Sequence, residues 1–511
     1  MSGAPLIVGV SGLRGIVGES LTPEVAVRYA GAFGSWLNER VGGASKILVC
    51  RDGRAGGQVY LDAAIAGLRA VGCGVVDSGV LMTPTAGFLA VRRGCDGAVI
   101  ITASHNPQQW NGLKFLVVQD GQASAPDADS ARAIIERFEK GEIRYVTDAA
   151  EIGSRAHDDP GVCGQHVGEV GAALLRRGLG WDDGARTMRV VVDSVNASGA
   201  EAAGTLFRVL KMACVQLHGD GSGIFPHTPE PTAENLAGEG GLCDAVPGLK
   251  ADVGFAQDPD ADRLAIVDEN GRYIGEEYTL ALCAESVLSA RGEGGEDGER
   301  QAGRLSHREG GDGKRPVLVA NLSTSRMIDD VAARYGGRVV RTPVGEANVV
   351  EAMKRLRGED VVLGGEGNGG VIWPEVVYVR DSLSAMALVL SLMARTGKTV
   401  SELVAKIDSY SPGGRGYAIV KRKVPIASKA DAVPVVEKVA GFYGGEGGLG
   451  SSNRPAVDLQ DGVRVDFPDK GAWVHVRASN TEPIMRLIAE APTRDEAGAI
   501  LAEVERVIAG E

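Results

Sequence analysis

Short runs of valine, isoleucine and leucine alternate with longer amphipathic stretches through most of the chain. The first group of runs is KILVC, GVVDSGV and DGAVI, at 46–50, 74–80 and 96–100. The second is RVVVD, ACVQLH and ADVGFA, at 189–193, 213–218 and 251–256. The third is PVLVAN, GRVVRT and DVVLGG, at 316–321, 337–342 and 360–365. This alternation is typical of βαβ units, so it predicts three consecutive α/β domains with mixed, mostly parallel sheets.

Two stretches depart from this pattern. Residues 291–314 are rich in glycine and charge with almost no apolar residue, which predicts a disordered insertion. From about residue 415 the pattern becomes strands around a polar turn, followed by the helical RDEAGAILAEVERVIAG, and predicts a C-terminal α+β domain. The predicted domains are therefore 1–155, 156–265, 266–400 and 412–511.

Composition narrows the class of protein. The formal charge of -13 leaves no evident basic face for nucleic acid, and no apolar run approaches the roughly 20 residues that span a bilayer. The seven cysteines are odd in number and form no CxxC pair, and the start of the chain has no secretory signal pattern. We therefore expect a cytoplasmic protein with reduced thiols, and any anionic ligand must meet locally placed positive charge.

Three unusual segments follow the third strand of each group: TASHNP, QDPDADR and GEGNGG. Ligands of open α/β sheets bind beyond the carboxyl ends of strands, so these segments are where chemistry is expected. The first contains Ser104, with Lys114 ten residues further on. A serine in a cationic setting suits phosphoryl transfer, although a Ser before His-Asn-Pro is also common in plain turns. Adjacent residues of an extended segment point to opposite sides, so we expect His105 to point away from Ser104 and interpret it as structural.

The second segment has carboxylates at alternating positions, Asp258, Asp260 and Asp262. Closely spaced oxygen ligands suit Mg²⁺, and without a cation such carboxylates repel one another. An EF-hand is rejected because its sixth position requires glycine and holds Arg263. The alternative to a metal site is an acidic, solvated turn.

The third segment, GEGNGG at 365–370, matches G-x-G-x-x-G, but Pro374 and β-branched residues follow where a dinucleotide-binding helix should begin. It offers Glu366 and Asn368 on a slender backbone that can approach a polyhydroxyl ligand. RASNTEP at 477–483 combines an arginine with hydroxyls and turn amides, which suits a phosphate, although a polar hairpin has a similar composition.

Together these segments resemble the α-D-phosphohexomutase superfamily over nearly the whole chain. The matching motifs are, in the family's order, SGLRGIVG, TASHNP, NGLK, PEP, DPDADR, TPVGE, GEGNGG and RASNTEP. The resemblance implies a four-domain isomerase that moves phosphate between the C1 and C6 hydroxyls of a hexose. Phosphoserine at Ser104 would donate to the sugar phosphate, and a hexose 1,6-bisphosphate intermediate would turn around and return the opposite phosphate. The same bisphosphate would serve as activator.

The resemblance also implies residue roles. One Mg²⁺ per chain would be held by Asp258, Asp260, Asp262 and the Ser104 group. Arg14 and Arg263 would lie against the phosphoryl group, and Lys114 is the candidate general acid or base. The sugar would be bound by Glu366, Asn368 and Gly345, and the non-reacting phosphate by Arg477, Ser479, Asn480 and Thr481. The implied partner is a hexose phosphate, with no nucleic acid or membrane, and the chain would be a monomer or homodimer.

The sugar loop departs from Gly-Glu-x-Ser-Gly-His of many bacterial members, since Asn368 replaces Ser and Gly370 replaces His. GGEGNGGVIWP with TPVGEANVVEAM looks closer to the archaeal-type phosphoglucosamine mutases. Phosphoglucosamine mutase is therefore the favoured activity, with phosphoglucomutase or phosphomannomutase as the alternative. A non-catalytic sugar-phosphate sensor and a metal-dependent sugar phosphatase are the rivals from other classes.

Overall fold

The computed structural model describes residues 5–10, 12–159, 161–180, 187–291, 314–426, 428, 431–444, 455–479 and 484–510. The chain divides into two compact units, one of residues 1–291 and 362–401 and the other of residues 292–361 and 402–511. Residues 292–313 of the predicted insertion lie outside the described residues.

The first sheet of the first unit contains the first predicted group of strands. Its strands are β1 (Ile7–Gly9), β2 (Gly12–Ile16), β3 (Lys46–Arg51), β4 (Gly74–Val80), β5 (Gly97–Ile101), β6 (Trp110–Gln119), β7 (Gln122–Ser124) and β8 (Arg155–His157). The order is β1-β2-β6-β5-β3-β4-β8, with β7 paired to β6. Strands β5, β3, β4 and β8 are parallel, whereas β6 runs antiparallel to β5 because the chain turns back directly after the TASHNP segment.

Helices cover this sheet: α1 (Pro23–Val41), α2 (Gly57–Ala70), α3 (Thr83–Arg92) and α4 (Ala128–Lys140), with a 3-10 turn at Ala149–Glu151. Helix α5 (Cys163–Arg176) comes after β8 and packs against α3. Local sequence explains the bounds of α1. The Thr22 side chain accepts a hydrogen bond from the Val25 amide, a proline opens the first turn, and Gly42 ends the helix at φ 72°. Its apolar side packs with α2 over the sheet in one continuous core.

The second predicted group forms another sheet in the first unit. Its strands are β9 (Arg189–Asp193), β10 (Ala213–Leu217), β11 (Val253–Gln257) and β12 (Leu264–Val267), in the order β10-β9-β11-β12. The pairs β10–β9 and β9–β11 are parallel, and β11–β12 is antiparallel. Its helices are α6 (Gly199–Val209), α7 (Ala233–Leu236), α8 (Leu242–Gly248) and α9 (Glu276–Ser289).

The third group is divided between the units. Its strands are β13 (Pro316–Asn321), β14 (Arg338–Thr342), β15 (Asp360–Glu366) and β16 (Gly370–Ile372), and its helices are α10 (Met327–Arg334), α11 (Glu346–Arg355), α12 (Ser382–Thr396) and α13 (Val400–Asp408). In the second unit β13 and β14 are parallel. The other unit contains α12 and the antiparallel hairpin of β15 and β16 that presents GEGNGG, and the unit boundaries fall within β15 and α13.

The rest of the second unit is an antiparallel sheet backed by helices. Its elements are β17 (Ala418–Pro425), α14 (Ala432–Gly444), β18 (Ala456–Asp458), β19 (Val463–Phe467), a 3-10 turn (Pro468–Lys470), β20 (Ala472–Ala478), β21 (Ile484–Ala491) and α15 (Arg494–Ala509). The strand order is β17-β21-β20-β19-β18. Thr493 and Glu496 start α15 with a capping box.

The predicted fold class is confirmed, because each predicted group supplies parallel strands and the C-terminal region is α+β. Every predicted strand of the three groups is present within two residues of its expected bounds. Each of the seven cysteines is a free thiol. Within the described ranges, no helix combines the length and apolar character that crossing a membrane requires.

The packing of α1 on α2 makes Gly67 a sensitive position. A Cβ there would lie 2.3 Å from the Val27 carbonyl oxygen, whereas one at Gly168, in α5, would meet nothing within 4 Å. We expect Gly67→Ala to lower the free energy of unfolding by about 1–3 kcal/mol, because two backbones must separate. The matched Gly168→Ala should raise it by up to about 1 kcal/mol through helix propensity. Denaturant titration of both variants measures these changes, and equal stability of the two would contradict the packing argument.

Candidate active site

Ser104 is held by contacts to its backbone and its side chain. It is buried, follows β5, and has φ 48°, a left-handed conformation that non-glycine residues seldom adopt. Its amide donates to Thr102 Oγ1 at 2.8 Å and its carbonyl accepts from Arg54 at 2.7 Å. Its Oγ donates to Asp258 Oδ2 at 2.8 Å. The hydroxyl is therefore fixed in place beside the aspartate segment.

A pair of side chains that was not predicted from the sequence, Asp52 and Arg54, supports this loop. Arg54 is almost completely buried and pairs with Asp52, with Nε 2.9 Å from Oδ2. Its other nitrogens donate to the carbonyl groups of Ser104 and Trp110, so Arg54 holds both ends of residues 104–110, the serine turn. Both residues belong to RDGR, which begins at Arg51, the last residue of β3, so the strand-end rule used for the other segments could have found them.

The three predicted aspartates converge. Asp258, Asp260 and Asp262 are fully buried, and one oxygen of each lies within 4.8 Å of the others. Among the described residues, Asp260 Oδ1 and Asp262 Oδ1 have no hydrogen-bond partner. Burial and the two neighbouring carboxylates raise the pKa of Asp258 well above its ordinary value. Buried oxygens without partners and mutually repelling carboxylates are what a divalent cation would satisfy, so these residues fit a metal site.

Two cations donate hydrogen bonds to this cluster, and Arg263 Nε lies 3.9 Å from Asp262 Oδ1. Lys114 Nζ, on β6, donates to Asp260 Oδ2 at 2.9 Å and to Asp262 Oδ2 at 2.7 Å. Arg380 bridges Asp262 Oδ2 at 2.6 Å and Glu366 Oε2 at 2.7 Å. Burial acts to raise the pKa of Asp262, but Arg380 and Lys114 hold it below its ordinary value. Arg380 was not predicted, because nothing in VRDS distinguishes it from an ordinary arginine in a turn.

Two of the predicted arginines lie beside this cluster. Arg14 donates to Asn106 Oδ1 at 3.0 Å, and the Arg263 amide donates to Asp258 Oδ1 at 3.2 Å. Arg263 Nε is buried without a hydrogen-bond partner among the described residues. Burial, together with the charges of these two arginines, lowers the pKa of His105 to about 2, so this imidazole is neutral. The site thus has donors for an anion, and His105 is a poor proton acceptor.

The GEGNGG turn approaches the aspartate segment closely. Leu264, which follows Arg263, donates its amide to the Gly369 carbonyl at 3.0 Å. A Cβ on Gly369, whose φ is 80°, would lie 2.4 Å from the Leu264 carbonyl oxygen, so this contact requires glycine. Asn368 is partly exposed and contacts Glu366 Oε2 at 3.4 Å. Glu366 and Asn368 are therefore presented together, and Arg380 joins Glu366 to the aspartate cluster.

The remaining predicted residues belong to the second unit. Arg477 lies on β20 and donates from Nε to Asp461 Oδ2 at 3.0 Å. The same oxygen accepts from the Val344 amide at 3.0 Å, next to Gly345 at the start of α11. Ser479 is buried, and its amide donates to the Ile484 carbonyl at 2.9 Å. Asn480 and Thr481 lie outside the described residues.

Comparison with known proteins gives the family. The four domain models of phosphoglucomutase/phosphomannomutase match in chain order: alpha/beta/alpha domain I at residues 5–142, domain II at 181–271, domain III at 277–410 and the C-terminal domain at 419–507. The chain belongs to the phosphoglucomutase/phosphomannomutase family.

Individual members of this family align over almost the whole chain. A phosphoglucomutase/phosphomannomutase of Thermococcus kodakarensis is 35% identical over 96% of both chains. A protein of Methanopyrus kandleri named probable phosphoglucosamine mutase is 34% identical over 96% of this chain and 94% of its own.

Solved structures agree with this assignment. A phosphoglucomutase/phosphomannomutase family protein of Burkholderia thailandensis has a TM-score of 0.75 at 26% identity, over 98% of both chains. The N-acetylphosphoglucosamine mutase of Aspergillus fumigatus, solved with GlcNAc-6P and magnesium, shares the fold at a TM-score of 0.56 and 14% identity, over 98% of this chain and 95% of its own.

The contribution of the Arg380 bridge can be measured as a change in the free energy of unfolding. We expect Arg380→Met to lower the free energy of unfolding by about 3–5 kcal/mol, because Asp262 and Glu366 lose a buried cation. Arg272→Met is the control: that arginine also pairs with an aspartate, but its side chain is 60% exposed. The control should cost about 0–1 kcal/mol. Similar losses in the two variants, measured by denaturant titration, would show that Arg380 is not needed to neutralise the cluster.

Proposed function

We propose that this protein is a phosphohexomutase that interconverts hexose 6-phosphate and hexose 1-phosphate. The observation that carries the proposal is the fixed Ser104 hydroxyl, 2.8 Å from an aspartate of a buried carboxylate cluster. Ser104 would carry the phosphoryl group as phosphoserine. Its bond from Oγ to phosphorus breaks as a new one forms to a sugar hydroxyl, which loses a proton to a base while the departing serine oxygen takes up a proton. The resulting bisphosphate then returns its other phosphoryl group to Ser104, so phosphate is conserved.

The cluster around this serine is proposed to hold Mg²⁺. Asp258, Asp260 and Asp262 would be its protein ligands, together with the phosphorylated Ser104. When bound, the ion would offset the negative charge of the phosphoryl group. Arg14 and Arg263 supply further donors, in keeping with the buried guanidinium nitrogen of Arg263 that has no hydrogen-bond partner among the described residues. Lys114 is proposed as the general acid or base.

Substrate recognition is divided in this proposal between sugar and phosphate. Glu366, Asn368 and Gly345 would bind sugar hydroxyls, and Arg477, Ser479, Asn480 and Thr481 the phosphate that does not react. The guanidinium of Arg477 is oriented by Asp461, which supports this role, because a fixed planar fork binds phosphate well.

Three further properties remain predictions: the assembly as a monomer or homodimer, the cytoplasmic location, and the domain bounds 1–155, 156–265, 266–400 and 412–511.

Ser104→Ala tests the central claim. We expect the purified wild type to hold a removable phosphate, detected as an intact-mass change on phosphatase treatment, and the variant to hold none. Isomer exchange should fall by at least about 1000-fold, because the group that carries the phosphate is gone. Ser286→Ala is the control, since Ser286 is also buried but its hydroxyl bonds to α12, donating to the Leu388 carbonyl at 2.7 Å and accepting from Arg395 at 3.5 Å. Undiminished exchange in Ser104→Ala would refute the mechanism.

The same assays separate the rival classes. A non-catalytic sensor predicts no isomer exchange by the wild type. A metal-dependent sugar phosphatase predicts steady release of free phosphate, whereas a mutase interconverts isomers with little release.

The favoured substrate is glucosamine 6-phosphate, with phosphoglucomutase or phosphomannomutase activity as the alternative. The name of the Methanopyrus relative supports the first, and that of the Thermococcus relative supports the second. In a competition of glucosamine, glucose and mannose 6-phosphates we expect the largest kcat/KM for glucosamine 6-phosphate. A larger value for mannose or glucose 6-phosphate would overturn the choice of sugar and leave the phosphoserine mechanism intact.

A further inference from the structure

A second group of potential metal ligands lies at the carboxyl edge of the second sheet. Asp193 is the last residue of β9, and in the parallel pair with β10 it is level with Leu217. His218 follows β10 directly and has φ 47°, a left-handed conformation that turns its side chain at the strand end. His227 comes from the following loop. None of these residues has a part in the mutase proposal.

The three side chains meet at one carboxylate oxygen. Asp193 Oδ2 lies 2.9 Å from His218 Nδ1 and 2.9 Å from His227 Nε2. The aspartate side chain is 1% exposed, and the histidine side chains are 29% and 20% exposed. The carboxylate is thus fixed in the interior, while the partly exposed imidazoles can be reached by an ion from solvent.

The protons of His227 are the decisive feature. Its Nδ1 lies 2.8 Å from the Thr228 carbonyl oxygen, which can only accept, so Nδ1 carries a proton. In the neutral imidazole Nε2 then bears a lone pair, and it faces a carboxylate oxygen that also only accepts. A contact of 2.9 Å between two acceptors requires a positive charge between them, either a second proton or a metal ion. Imidazoles that bind metals are commonly held by such a bond from the distal nitrogen to a carbonyl.

The separations fit ligands of a single ion. Two ligands about 2.1 Å from a metal and about 90° apart are about 3 Å from each other. Two histidines and one carboxylate are also a donor set that suits divalent transition metals, unlike the all-oxygen set of Asp258, Asp260 and Asp262. We propose that Asp193, His218 and His227 form a second cation site, which takes a divalent transition metal such as Zn²⁺.

The surroundings indicate a structural role for this ion. The loop that carries His227 also holds Gln108: the Phe225 amide donates to its Oε1 at 2.8 Å, and its Nε2 donates to the Gly223 carbonyl at 3.1 Å. Gln108 is four residues from Ser104. The Phe225 ring lies 5.2 Å from the Arg54 guanidinium, which in turn bonds the Ser104 carbonyl. An ion at the triad would therefore stabilise the loop against which the serine turn packs.

Metal titration tests this proposal. Zn²⁺ binding is measured by calorimetry with excess Mg²⁺ to fill the oxygen site, for the wild type, a His218→Ala/His227→Ala double variant and His157→Ala. His157 is the matched control, since it also pairs with an aspartate, Asp77, but its side chain is 66% exposed. We expect one Zn²⁺ per chain in the wild type and the control, with a higher Tm on binding. The double variant should bind at least about 100-fold more weakly, because removing a ligand costs more than removing an outer contact.

A measurement on the wild type alone avoids dependence on the folding of the variant. In the Co²⁺-loaded protein, paramagnetically shifted imidazole N–H signals are expected from two histidines, and they should disappear on adding Zn²⁺. Equal zinc binding by all three proteins, a wild type that binds no zinc, or cobalt spectra without such signals would overturn the proposal. The last two results would leave a protonated His227 as the charge in the triad.

Discussion

Three buried carboxylates within 4.8 Å of one another set the main constraint on the first unit. Buried like charges repel strongly in a medium of low dielectric, so the chain must bring cations to them. It does so from distant positions, with Lys114 on β6 and Arg380 before α12. The serine turn and the GEGNGG turn are each tied to this cluster, one through Asp258 and the other through Arg380. The cluster thereby determines where both turns lie.

Much of this arrangement follows from sequence patterns. Strand periodicity predicts the fold class, and the strand-end rule selects the segments that bear Ser104, Asp260 and Glu366. The reason is physical: short β-branched runs bury both faces of a parallel strand, and the residue after such a run emerges at one known edge. Patterns of this kind are local and can therefore be recognised in a single sequence.

What the sequence does not reveal is the pairing of distant charges. Arg380 is 118 residues from Asp262, and Arg54 is 50 residues from the carbonyl it binds. An arginine in a turn has the same local pattern whether it is solvated or buried against a carboxylate. The Asp193 triad was not predicted for the same reason, since the segment that contains its histidines has an ordinary composition. Such partners are determined by tertiary packing, and they are identified only in the three-dimensional structure.

One oxygen of Asp461 accepts from both the Arg477 side chain and the Val344 amide. Its two donors come from β20 and from the segment before α11, parts of the second unit that are far apart in the chain. Because both segments bond to the same oxygen, a substitution that moves one of them would disturb the hydrogen bond of the other. Under the proposed function, in which Gly345 binds the sugar and Arg477 the phosphate, a change of residues 342–346 that suits another sugar would select compensating changes around Arg477.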